Sequence, residues 1–312
     1  MIKKINMGII IYGHHSQKKI NEDQFNDLKK LLGSFKLKKY YFNKNGKKEI
    51  LKDFKNRKID IILKNSYGRG NENNIEKFLE KYNIPFLGSD SKTTLIGTSK
   101  ILSKKVFKKN NLPIAKDFII NKEILKKSLN NILSNIKDNI GYPFIFKDTV
   151  GTDSRDIYFI NNIDECKIIF NKIIKDDKTY IAEEYIKNNY EITCFVVGNT
   201  NPKVYEPVGI IKNKEIISNL EKNKVSIKLE VPANLPISTI NKIKNISKKA
   251  HIALKCKTFS RADILVKNNK LYLLEVDVHP GFRLKSATVV SAKYKGETAN
   301  DLFLKFYKII NK

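Results

Sequence analysis

Cysteine is scarce in this sequence. Only Cys166, Cys194 and Cys256 occur, and no two stand in a Cys-x-x-Cys spacing. That excludes a disulfide framework and leaves zinc without a ligand set. Long apolar runs are missing as well. The opening MIKKINMGIIIYG is too short to cross a bilayer. Polar GHHSQKK follows it with no cleavage-like site, so it reads as a first buried strand rather than a secretory signal. No internal repeat is visible. Acid is the scarce charge, with 32 Asp and Glu against 60 Lys and Arg, for a net charge of +28. The basic residues are nearly all lysine and are spread along the chain beside many Asn and Ile. A nucleic-acid binder would cluster Arg and Lys with aromatics between them. The expectation is a cytoplasmic protein with no membrane segment and no specific nucleic acid, whose charge attracts small anions such as nucleotides.

What is present is enough for a folded protein. The chain has 312 residues, 41% of them hydrophobic, which suits two or three domains. INMGIIIYG, KLKKYYF, IDIILKNS and IPFLG read as strands. Between them NEDQFNDLKKLL, with Phe25, Leu28, Leu31 and Leu32 on one face, and NIEKFLEKYN read as helices. This alternation predicts an α/β unit with an open parallel sheet and ligands at the carboxyl ends of its strands. Thr98 or Ser99 caps a predicted helix running to about Asn110, where NLP breaks it. GYPFIFK and DIYFI are strands joined by a polar, glycine-bearing turn. Gly151 permits close approach there, Thr152 and Ser154 offer hydroxyls, and free N–H groups could cradle phosphate. A plain surface hairpin fits that stretch equally well. TYIAEEYI and EITCFVVG form a further strand pair. ISTINKIKNISKKAHIALKC is helical, with Ile240, Ile243, Ile246, Ala250 and Leu254 as its stripe and His251 beside it as a structural histidine. A short apolar turn and a final helix close the chain. His14 and His15 are neighbours that point apart, so they make a poor metal pair.

The acidic stretch is RADILVKNNKLYLLEVDVHPG, Arg261 to Gly281. It reads as two strands joined by a tight turn at Lys267 to Lys270. Glu275 and Asp277 share a face, roughly 6.5 Å apart along their strand. Asp263 lies nearly opposite Glu275, with Arg261 two residues away. Three carboxylates on one face would raise one another's pKa. A hard divalent cation relieves that, and oxygen ligands suit Mg²⁺. The alternative is a solvated edge with scattered acids.

These residues, RADI followed by LYLLEVDVHPGFRLKS, resemble the carboxy-terminal signature of the D-alanine–D-alanine ligases in the ATP-grasp superfamily. The likeness extends weakly over the whole chain and is strongest from about Asn111 onward. It implies an ATP-grasp fold, α+β in its nucleotide-binding part, behind the amino-terminal parallel-sheet domain. The implied division is 1–96 as the amino-terminal domain, 97–187 as the central grasp subdomain and 188–312 as the carboxy-terminal subdomain.

The resemblance also implies roles. ATP would phosphorylate a carboxylate, and an amine would attack the acyl phosphate. Asp263, Glu275 and Asp277 would hold Mg²⁺, or Mn²⁺ in its place. Lys100 and Lys147 would neutralise phosphate oxygens, with Gly151, Thr152 and Ser154 in the covering turn. Glu183, Glu184, Tyr185 and Ile186 would line the adenine, and Glu191 would take the ribose hydroxyls. Arg261 would stabilise the oxyanion, while Gly281 and Ser286 would receive the second amino acid, with Arg283 near. Homodimerisation and a place in peptidoglycan synthesis come with the family. The sequence departs from the pattern at Lys18, where the family carries a glutamate for the first substrate's ammonium. It departs also at Ser66 to Asn73, which lack the family histidine, and at Glu221 to Val225, which lack a lid tyrosine. A changed carboxylate substrate, or a catalytically degenerate nucleotide-binding or structural relative, are the alternatives to D-alanyl-D-alanine synthesis.

Overall fold

The computed structural model describes residues 4–12, 18–66, 73–125, 129–149, 157–173, 178–187, 189–212 and 227–311. The first strand–helix alternation gives β1 (Ile5–Tyr12), α1 (Lys18–Leu31), β2 (Phe35–Tyr41), α2 (Lys44–Lys55), β3 (Ile61–Ser66), α3 (Asn74–Lys81), β4 (Phe86–Leu87) and α4 (Ser91–Thr98). Its strands pair in parallel in the order β2-β1-β3-β4. β1 is almost wholly apolar because it is central and covered on both sides. Met7, Ile9 and Ile11 pack with Phe25, Leu28 and Leu32 of the α1 side, while Ile10 packs with Ile50, Ile75 and Leu79 beneath α2 and α3.

The middle of the chain forms α5 (Lys100–Lys109), β5 (Asp117–Ile120), α6 (Lys122–Leu125), α7 (Leu129–Asn139), β6 (Phe144–Asp148), β7 (Ile157–Ile160), α8 (Ile163–Ile173) and β8 (Tyr180–Glu184). The Ser99 side chain caps α5 by accepting from Leu102 N. The four strands make an antiparallel sheet, β5-β8-β6-β7, backed by α7 and α8.

The last part contains β9 (Tyr190–Val197), β10 (Lys203–Val204), β11 (Val208–Lys212), β12 (Ile227–Glu230), α9 (Ile237–Ala253), β13 (Phe259–Lys267), β14 (Lys270–Asp277), α10 (Ala287–Tyr294) and α11 (Ala299–Ile310). Its sheet runs β12-β11-β9-β13-β14, with β10 also on β9. β13 and β14 turn through Asn268 and Asn269, both at positive φ of 47° and 62°, which suits a two-residue hairpin loop of the kind asparagine tolerates. Ala262, Ile264 and Val266 face α9 with Ile240, Ile243 and Ala250, leaving the other face of the strand for polar residues.

One sequence expectation changes. The apolar turn predicted before the last helix is a helix of eight residues, α10. Its β-branched run folds helically because the Ser286 side chain accepts from Val289 N, and Val289 and Ala292 enter the core. The stretch 205–235 contributes the antiparallel strands β11 and β12, which the sequence reading did not assign. His251 is buried as expected, its ring between Ser260 Oγ at 2.8 Å and the Gly198 carbonyl at 3.0 Å. Burial pushes its imidazole down to about 4, so it is neutral near pH 7.

One core joins the first sheet to the last. Phe282, in the loop after β14, stands 5.0 Å from Phe303, 5.1 Å from Phe259 and 5.7 Å from Phe306, ring centre to ring centre. Phe282→Ala is expected to cost about 3–5 kcal/mol of stability, because that cavity cannot collapse between three fixed elements. Chemical denaturation would measure it, and a loss below about 1 kcal/mol would mean the cluster repacks.

Candidate active site

The site is built where the antiparallel middle sheet faces the β9-β13-β14 ladder. Arg261 pairs in register with Asp277, and Asp263 with Glu275. On the other side of β13, Asp263 lies opposite Thr193 of β9. The register shifts between Asp263 and Ile264, so Leu274 is an extra residue in β14. This bulge turns Leu271 and Leu273 into the α9 core while Glu275 and Asp277 face the site.

The Arg261 guanidinium binds both Asp263 oxygens, Nε to Oδ1 at 3.1 Å and Nη2 to Oδ2 at 2.9 Å, and reaches Asp277 Oδ2 at 3.5 Å. Thr193 Oγ1 donates to Asp263 Oδ1 at 2.6 Å, and His279 N donates to Asp277 Oδ1 at 2.9 Å. Burial works against the Arg261 charge, but Asp263 and Asp277 more than offset it and keep the guanidinium protonated. Glu275 differs from its neighbours. Its surroundings and the Asp263 carboxylate push its carboxyl above the ordinary range, with Lys100 and Arg261 acting the other way.

The expected meeting of three carboxylates is therefore only partly realised. Asp263, Glu275 and Asp277 share one face, yet among the described residues no three acidic, histidine or cysteine side chains converge closely enough to hold a metal ion. Arg261 occupies the space between two of the acids. The donor set still fits a hard cation, since it is all carboxylate oxygen.

Across from these acids stand two lysines. Lys100, first residue of α5, donates its backbone N–H to the Thr149 carbonyl at 3.3 Å, which fastens the helix start to the end of β6. Burial lowers the Lys100 pKa, Glu275 raises it and Lys147 lowers it again, so these three groups share one field. Lys147 Nζ lies 3.0 Å from Glu183 Oε2. Glu183 is 3% exposed. Burial alone would raise its carboxyl, but Lys147 and Lys104 hold it below the usual range. Lys104 Nζ is 3.4 Å from Glu183 and 3.9 Å from Asp117.

The remaining predicted residues surround this centre. Glu184 Oε2 accepts from Lys116 N at 3.3 Å, and the Tyr185 ring meets Phe159 edge-on at 4.7 Å. Ile186 is buried with Ala115 and Leu265. Glu191 on β9 pairs with Lys212 on β11. Ser286 heads α10, its Oγ donating to the Arg283 carbonyl at 2.9 Å, while the Gly281 carbonyl accepts from Thr288 Oγ1 at 2.7 Å. A capped helix start beside Gly281 suits an anionic group. Gly151, Thr152 and Ser154 lie outside the described residues, as do 13–17, 67–72 and 213–226.

Several participants were not singled out from sequence. Lys104 could have been, since it follows Lys100 by one helical turn and shares its face. Thr193 and Lys212 carry no local signal. His279 and Glu76 come from opposite ends of the chain. His279 Nε2 lies 2.9 Å from Glu76 Oε1 and 3.0 Å from Thr94 Oγ1, and Lys64 Nζ lies 2.7 Å from the same carboxylate oxygen.

The family profile described as D-ala D-ala ligase C-terminus matches residues 106–308. D-alanine–D-alanine ligase of Wigglesworthia glossinidia brevipalpis is 30% identical over 240 residues, 76% of this chain and 67% of that protein. D-alanine–D-alanine ligase of Acetivibrio thermocellus is 27% identical over 244 residues, 77% of this chain but 65% of that protein, just under two thirds of its length. In fold, the chain superposes on D-alanine–D-alanine ligase from Bacillus anthracis complexed with ATP with a TM-score of 0.80 at 23% identity, over 98% of this chain and 97% of the other. The amino-terminal parallel sheet and the two facing antiparallel sheets are thus the architecture of ATP-grasp ligases.

Proposed function

This chain belongs to the D-alanine–D-alanine ligase family, and on that premise we propose that it is an ATP-dependent carboxylate–amine ligase whose product is D-alanyl-D-alanine. The observation that carries the reading is Arg261 held between Asp263 and Asp277 on the strand pair that also brings Glu275 opposite Asp263. Phosphate oxygens would meet the two lysine ammoniums, whose charge offsets that of the transferring group. Asp263, Glu275 and Asp277 would hold Mg²⁺, or Mn²⁺, which when bound would supply positive charge to offset that of the phosphates. Arg261 would face the oxyanion of the tetrahedral intermediate, its guanidinium kept charged and oriented by two carboxylates. Glu183 to Ile186 would border the adenine and Glu191 the ribose, with Lys212 steadying Glu191. The amine substrate's carboxylate would sit at Gly281 and Ser286. Gly151, Thr152 and Ser154 would supply the proposed phosphate cover. A homodimer, a cytoplasmic location and a role in peptidoglycan precursor synthesis belong to the same proposal. No helix among the described residues is long and apolar enough to cross a membrane.

A second reading keeps the ATP chemistry and changes the carboxylate donor. Lys18 supports it, because lysine cannot bind an ammonium group but can pair with a carboxylate.

ADP release in the presence of Mg²⁺, across D- and L-amino acids singly and in pairs, separates the two. Turnover with D-alanine alone is the expected result. Turnover only with another carboxylate makes Lys18 a specificity residue, and ATP binding without turnover on any pair sinks the ligase reading.

A further inference from the structure

Lys147 has two calls on its charge. In this structure its ammonium faces Glu183, yet in the proposed reaction it serves phosphate oxygens. Glu183 and Lys104 are both nearly inaccessible, at 3% and 4% exposure. A carboxylate that deep cannot be left without a cation when Lys147 turns away, because an uncompensated buried charge is strongly unfavourable. Lys104 is the group that stays. It is fixed on α5, one turn beyond Lys100, with its Nζ 3.4 Å from Glu183 Oε2. That spacing is longer than a good N–H···O bond, so the contact can tighten. Asp117 does not compete for it, since Lys108 Nζ meets Asp117 Oδ1 at 2.9 Å while Lys104 lies 3.9 Å away. Three lysines, 147, 104 and 108, therefore face two carboxylates, Glu183 and Asp117. When Lys147 leaves, two cations remain for two anions.

We propose that Lys104 is a positioning residue of the nucleotide site, the resident counterion that holds Glu183 in place and so releases Lys147 to the phosphates of ATP. It touches neither phosphate nor the reacting atoms and acts through Glu183. The inference rests on the ligase reading above.

The test is direct binding of ATP with Mg²⁺, by calorimetry, to the full-length chain and its variants, with steady-state kinetics alongside. Lys104→Met should bind ATP about 10- to 100-fold more weakly and raise the KM for ATP by a similar factor. The KM for the amino-acid substrate and the melting temperature of the free protein should stay near wild type. Lys104→Arg, which keeps the charge, should lie within about threefold of wild type. In a Glu183→Gln background, Lys104→Met should add no further loss, because the carboxylate it serves is gone. That last pair also decides the matter should the single Met variant fail to fold. Wild-type affinity in Lys104→Met overturns the proposal. So does an equal loss in Lys104→Arg, or an added loss in the Glu183→Gln background. Absence of ATP binding by the wild-type protein would instead remove the ligase reading, and this inference with it.

Discussion

Glu275→Gln is expected to lower ligase turnover by about 10³-fold or more, since a missing charge at the proposed cation site forfeits several kcal/mol of transition-state stabilisation. The same variant is expected to leave the free protein at least as heat-stable as wild type at pH 7. The reason lies in the direction of its titration. Desolvation within the site and the neighbouring Asp263 and Asp277 charges raise the Glu275 pKa in the folded protein above its unfolded value, even though its side chain is open to solvent. A group shifted that way favours folding while it is protonated, and that contribution is lost as pH rises through the folded value. At neutral pH the ionised carboxylate is thus a cost which glutamine removes. Melting curves should show the advantage of Glu275→Gln at pH 7 and its disappearance near pH 4. Saturating ATP with Mg²⁺ should reverse the order, because only the wild type gains from the ligand. A Glu275→Gln protein that turns over normally would place the cation elsewhere.

The largest loss of stability from a single charge is expected at Glu76. Its side chain is fully buried, and its Oε1 is shared by Lys64 and His279. Burial would raise the carboxyl, but His279 and Lys64 outweigh it and hold it at about 2. Burial pushes the His279 pKa down, so the pair is a neutral imidazole N–H donating to a carboxylate rather than two full charges. Glu76→Gln takes away the buried carboxylate charge that Lys64 and His279 share. The expected cost is about 3–5 kcal/mol at pH 7. The depressed folded-state value means this contribution is fully present above the unfolded carboxyl range near 4.5. It fades as pH falls toward about 2, so wild type and variant should converge in acid. Urea titrations at several pH values would check both statements. A pH-independent difference would assign the effect to packing instead of charge. The position also matters for the site, because the His279 backbone N–H bonds Asp277, so loosening Glu76 should disturb that end of β14.

Much of the fold was legible because its determinants are local. Strands alternating with amphipathic helices specify a parallel sheet, and the apolar central strand β1 needs cover on both faces. The Ser99 cap, the α9 stripe and the turn at Asn268 and Asn269 are decided within a few residues. The site was legible where spacing sufficed. Asp263 opposite Glu275 follows from the hairpin, whereas Lys100 was singled out only through the family resemblance. α10 was missed because valines and threonine argue for a strand locally, while the phenylalanine cluster that draws the segment into a helix is distant in sequence.

Sequence by itself determined the chemistry on offer here: the carboxylates of the last hairpin, the lysines at α5 and β6, and the family to which they belong. Tertiary structure alone decided what those groups face. Plain alternation would put Leu271, Leu273, Glu275 and Asp277 on one side, and it takes the bulge at Leu274 to send the leucines to the core and the acids to the site. The partnership of Glu183 with Lys147 and Lys104, and of Glu76 with His279, joins segments 36 to 203 residues apart. Electrostatic fields depend on distance through space and on burial, and neither quantity exists until the sheets are in place.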